Sequence, residues 1–83
     1  MEGAGVSAVI HLTARTVFEG HGGTVVEVLG KCTYQLVFHA DEVHVKALGI
    51  DRWIDVDPEH YPMEEPEAAA CMIVAQLEGG IEL

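Results

Sequence analysis

Residues 51–67 read Asp51-Arg52-Trp53-Ile54-Asp55-Val56-Asp57-Pro58-Glu59-His60-Tyr61-Pro62-Met63-Glu64-Glu65-Pro66-Glu67, and the chain changes its periodicity across them. Before this stretch apolar residues alternate with polar ones, the spacing of half-buried strands; after it they recur at three and four residues, the spacing of a helix. The stretch also holds seven carboxylates against the single cation Arg52, with Trp53 and Tyr61 among them. It is therefore both the boundary between two kinds of secondary structure and the main concentration of negative charge.

Upstream, Ser7 to Phe18 places Ile10, Leu12, Ala14 and Phe18 on one expected face, with His11, Thr13, Arg15 and Val17 on the other. Glu19-Gly20-His21-Gly22-Gly23 reads as a hairpin loop, since glycine adopts positive φ without steric cost. It is not a phosphate-binding loop: no helix follows and the lysine of such a loop is missing. Thr24 to Leu29 is the second expected strand, and Gly30-Lys31 the turn into Cys32 to His39. There Cys32, Tyr34, Leu36 and Phe38 share the core side. After a turn at Ala40-Asp41-Glu42, Val43, Val45 and Ala47 alternate with His44, Lys46 and Leu48. Arg52 to Val56 adds a short fifth strand that Pro58 ends.

Downstream, Pro66 suits the first helical turn, where its missing N–H is not needed, and Glu64, Glu65 and Glu67 complement the positive end of the helix dipole. Ala70, Ile73, Val74 and Leu77 form the expected buried stripe, and Gly79-Gly80 the stop. The expected fold is α+β: an antiparallel meander of four or five strands packed by one C-terminal helix. All 83 residues are assigned to one domain, with a loose N-terminus at 1–6, strands within 7–56, an acidic connector at 57–63 and the helix at 64–78. A chain this short buries a modest share of its unfolded surface, so few residues must supply the core.

The net charge of −10 is unevenly spread. Met1 to Ile50 carries five acids against three bases, a net −2; Asp51 to Leu83 carries nine acids against Arg52 alone, a net −8. Direct binding to nucleic-acid phosphates is driven by Lys and Arg and is not expected here. A basic protein partner is expected instead. Met1-Glu2-Gly3-Ala4-Gly5 lacks the basic start of a secretory signal, and no apolar run approaches a membrane span, so a cytoplasmic protein without membrane contact is expected.

Catalytic chemistry finds little support. Ser7 is the one serine, and Cys71 falls inside the helical stripe, where a thiol packs more often than it attacks. Cys32 and Cys71 are too far apart in sequence to suggest a metal knuckle or a disulfide framework. Five histidines are present, and His39, Asp41, Glu42 and His44 bracket one turn as secondary metal candidates. Their spacing matches no known ligand signature, so no cofactor and no enzymatic activity are expected.

The expected contact surface consists of Asp51, Trp53, Asp55, Asp57, Glu59, Tyr61, Glu64, Glu65 and Glu67. Carboxylates along a strand and a helix start can imitate a row of phosphates, with an aromatic side chain as the desolvated anchor. In its general make-up, a very short and strongly negative chain without catalytic residues, the sequence resembles small acidic phage-encoded inhibitors such as anti-CRISPR proteins and restriction inhibitors. The resemblance is one of overall character and carries no residue role. It implies an inhibitor or modulator that occludes a nucleic-acid-binding surface of a host protein in the host cytoplasm. The first alternative is a homodimer or assembly subunit formed through a sheet edge or the alanine-rich helix. The second is a small metal-binding module.

Overall fold

The computed structural model describes residues 12–81 and 83, and five strands and one helix lie among them. The strands β1 (Thr13–Gly20), β2 (Gly23–Leu29), β3 (Thr33–His39), β4 (Glu42–Ala47) and β5 (Ile50–Asp55) form one antiparallel sheet in the order β1-β2-β3-β4-β5, and the helix α1 (Pro66–Glu78) follows. The expected meander and C-terminal helix are both present, with five strands. The loose terminus expected at 1–6 and the start of the first strand at Ser7 to His11 lie outside the described residues.

Alternation fixes which face is buried. Val26 and Val28 of β2, Tyr34, Leu36 and Phe38 of β3, Val43 and Val45 of β4, and Ile54 of β5 all point to one side and are buried. Ala69, Ala70, Ile73 and Val74 of α1 complete that core, and the helix lies across β1, β2 and β3. The small side chains of Ala69 and Ala70 are thus used on the protein's own sheet. Tyr61 and Met63 of the connector pack against the same cluster. Pro66 sits in the first turn as the sequence suggests, and Gly80 closes the helix with φ 86°.

Several boundaries differ from the sequence reading. The helix begins at Pro66 and not at Glu64, β3 begins at Thr33 with Cys32 left in the preceding turn, and β4 ends at Ala47 before Leu48. The first hairpin closes over His21 and Gly22 alone, so Glu19, Gly20 and Gly23 belong to strands. Glu42 opens β4 and is not part of the turn, while β5 begins at Ile50 and ends at Asp55.

The correction with the largest consequence is in β1. Thr16 pairs with Val26 but Phe18 pairs with Val25, so one extra residue is accommodated at Val17. A bulge of this kind reverses the side-chain alternation beyond it. Phe18 therefore leaves the core face that Ala14 occupies and emerges 56% exposed on the other side.

Glu67 in the first turn of α1 holds this irregular strand. Its Oε2 accepts from the Thr16 backbone N–H at 2.8 Å and from the Thr16 hydroxyl at 2.9 Å. Glu67→Ala is expected to destabilise the fold by about 1–2 kcal/mol, because hydrogen bonds to a charged acceptor exceed neutral ones and both are lost together. Glu67→Gln keeps one acceptor oxygen and should lose less. Urea midpoints check the energies, and hydrogen exchange at the Thr16 amide checks the site.

Candidate functional site

The sequence groups nine residues as one surface, and the fold distributes them. Asp51, Trp53 and Asp55 alternate along β5 and project from the face opposite the helix. Trp53 is 57% exposed there and tilts against His44, its cross-strand neighbour, with ring centroids 5.0 Å apart. The His44 Nε2 lies 2.7 Å from Asp51 Oδ1, so that carboxylate already has a partner. Glu67 is committed to Thr16. Tyr61 is half-buried and its hydroxyl donates to Gln76 Oε1 at 2.8 Å, which fastens the connector to the helix and does not present an anchor outward.

Asp57 shapes its own turn. The Glu59 N–H bonds its Oδ1 at 2.9 Å, and the His60 ring lies 2.9 Å from its Oδ2. The Glu59 bond, with His60 adding to it, holds the Asp57 carboxyl below the usual carboxylate range. A lowered pKa means that this stabilisation is present above the ordinary carboxylate pKa and is lost as pH falls through the folded value. Glu59, Glu64 and Glu65 remain exposed on the connector.

Other carboxylates, which linear clustering does not reveal, join these. In a meander of this order the turns after β1 and β3 and the end of β5 lie at the same end of the sheet. Glu19, Asp41, Glu42, Asp55, Asp57 and Glu59 come from those segments. The four cations do not: Arg15, Lys46 and Arg52 lie within strands and Lys31 in a turn at the far end. Glu42 and Asp55 are direct cross-strand partners. Like charges directly opposite each other destabilise a sheet, and among the described residues neither has an ion-pair partner. The Val56 N–H donates to the Asp41 carbonyl at 2.9 Å, which carries the acidic row from β4 and β5 into the connector.

The metal candidates do not converge. His39 is register partner to Glu42, whereas His44 is turned to Asp51 and Trp53. Among the described residues no group of three His, Cys, Asp or Glu side chains is placed to hold an ion.

Both cysteines are free and half-buried. Burial, with the Glu67 charge adding to it, pushes the Cys71 thiol above its ordinary pKa, the opposite of an activated nucleophile. A depression of about 220 Å³ lies between connector and helix start, lined by Pro58, Tyr61, Pro62, Met63, Glu64 and Glu65. That is smaller than the clefts that usually enclose small molecules. Among the described residues no helix is long and apolar enough to cross a membrane.

The opposite side of the sheet carries a feature that sequence reasoning missed. Phe18, Val25, Val37, His44 and Trp53 are successive cross-strand partners, so they form one apolar row over all five strands. The outer end of the Phe18 ring lies beside Gly20, where an added Cβ would come within 3 Å of it, so the missing side chain leaves it room. Val25 of β2 and Val37 of β3 were the available signal, because each places a β-branched apolar residue on the face away from the helix and leaves neither face of its strand fully polar. Set beside known proteins, the chain matches no family model, no curated protein and no solved structure.

Proposed function

We propose that the chain is a non-enzymatic acidic protein-binding module of the cytoplasm, an inhibitor or modulator that docks its acidic sheet end against a basic surface of a partner protein. The observation that carries this reading is the pair Glu42 and Asp55, directly opposite each other, without an ion-pair partner among the described residues, and continued by Asp57 and Glu59. Carboxylates that weaken their own sheet serve no packing purpose, and their field is suited to steering and orienting a cationic partner. A groove shaped for nucleic acid offers the Lys and Arg density to match, so the module would act there as a phosphate mimic.

The test combines Glu42→Gln, Asp55→Asn and Glu59→Gln, leaving Asp57 to hold its turn. Partners captured from a host lysate at low salt are compared for wild type and triple variant, with duplex DNA as competitor. Binding weakened about tenfold or more, with a flatter salt dependence, is the expected result for a field-driven contact. The same variant should be slightly more stable, by roughly 0.5 kcal/mol, because the Glu42–Asp55 repulsion is gone. Unchanged affinity at low salt would exclude the electrostatic mode.

A further inference from the structure

The helix-free face carries a second ordered row beside the apolar one. Arg15, Glu27, Gln35, Lys46 and Asp51 are successive cross-strand partners, so the charges across the five strands run positive, negative, neutral, positive, negative. Read from the other edge the same row runs negative, positive, neutral, negative, positive. The pattern is complementary to its own reversal.

A two-fold axis lying in the plane of contact and parallel to β3 performs that reversal. It sets Arg15, which bonds Glu27 of its own chain at 2.9 Å, beside the second copy's Asp51, which keeps His44 as its own neighbour. Glu27 faces the second copy's Lys46, and Gln35 its Gln35. In the apolar row it sets Phe18 over Trp53, Val25 over His44, and Val37 over Val37. At the acidic end, Gly20 and Gly23 lie where Asp55 and Glu42 of the second copy arrive, so no carboxylate meets another. An axis perpendicular to the strands would instead bring Asp51 towards Asp55, a like-charge contact.

We infer that this face is a self-complementary interface and that its partner is a second copy of the chain, packed sheet to sheet about an axis along β3. The contact has the isologous form that most dimers take. Aligned sheets cross at about 30°, a displacement that the long side chains of Arg15 and Lys46 span. Five strands about 4.8 Å apart, with about six residues of 3.3 Å each, give a face of roughly 24 by 20 Å. Two such faces bury on the order of 1,000 Å², the lower bound of a specific interface. A contact of this size belongs with weak, reversible associations. The inference does not rest on the proposed partner contact, although Glu42 and Asp55 project from one end of this same face; the axis also turns the acidic ends of both copies to the same side.

The experiment uses sedimentation velocity on the intact chain with two charge reversals, Glu27→Lys and Lys46→Glu. Wild type is expected to approach twice its 9.0 kDa mass at a few hundred micromolar. Trp53, the single tryptophan, should shift its emission to shorter wavelength over the same range. Each reversal alone places like charges at both symmetry-related contacts and weakens self-association about tenfold or more. An equimolar mixture pairs Lys with Glu at both contacts and restores the dimer, an outcome that misfolding of either variant does not produce. A wild type that stays monomeric at those concentrations overturns the proposal. So do reversals that leave association unchanged, or a mixture no better associated than its components.

Discussion

Leu36→Ala should lower the unfolding free energy by about 3 kcal/mol, in the middle of the range for removing a buried leucine side chain. Leu36 is wholly inaccessible on the central strand, with the equally inaccessible Val26 and Val45 as its register partners on either side. Alanine would leave a void between these valines that close-packed neighbours fill only in part. A domain of this size has a total stability of roughly 4–12 kcal/mol, so the variant loses a large share and its urea midpoint should fall accordingly. Val37→Ala, one residue on and on the other face, is the control: it should cost less than about 1 kcal/mol, since Val37 is only half-buried. Equal losses at the two positions would contradict the assignment of the core to the helix side. Val37→Ala should instead reduce self-association, where Val37 meets its symmetry mate.

How far the fold could be read ahead depended on where a residue's environment follows from its neighbours in sequence. Tyr34, Leu36 and Phe38 alternate with Thr33, Gln35 and Val37, and a strand with one buried face has no other way to place them. Pro66 and the spacing of Ala70, Ile73 and Val74 fixed the helix just as firmly, because each signal is local. The bulge at Val17 left no comparable mark. Its register is set by Val25 and Val26 on the neighbouring strand and by the Glu67 carboxylate, some fifty residues away in the chain. Phe18 was consequently expected in the core, and the apolar row it ends could not be assembled.

The candidate site was legible to a lesser degree, for a related reason. A run of acids in sequence becomes a surface only if consecutive residues share a direction, and β5 sends Ile54 inward between Trp53 and Asp55. Beyond the strand, Asp57 turns to the Glu59 amide and Glu67 to Thr16. The groups that complete the acidic end, Glu19, Asp41 and Glu42, arrive through the meander from other parts of the chain. Charge totals indicated that a negative surface exists, whereas its position required the order of the strands.

Gly23→Ala is the other substitution with a large expected effect, at the start of β2. Gly23 has φ 128°, a backbone region that L side chains rarely enter, and an added Cβ would run into the carbonyl oxygen of Phe38 on the neighbouring strand. Neither problem relaxes cheaply. Rotating φ displaces the pairing of Gly20 with Gly23, and moving the carbonyl disturbs the β2–β3 ladder beside the buried Phe38 ring. Backbone strain of this class costs about 1–3 kcal/mol by itself, and the contact with Phe38 brings the expected loss to about 3 kcal/mol. Gly22→Ala, in the adjoining turn, meets nothing within 4 Å and should stay within about 0.5 kcal/mol of wild type. Thermal unfolding of the two variants side by side separates a demand for positive φ from a general intolerance of the hairpin to side chains. If Gly23→Ala is also harmless, β2 does not enter the sheet as described. The apolar row, whose register at Val25 is counted from that entry, would then lose its alignment with Phe18 and Val37.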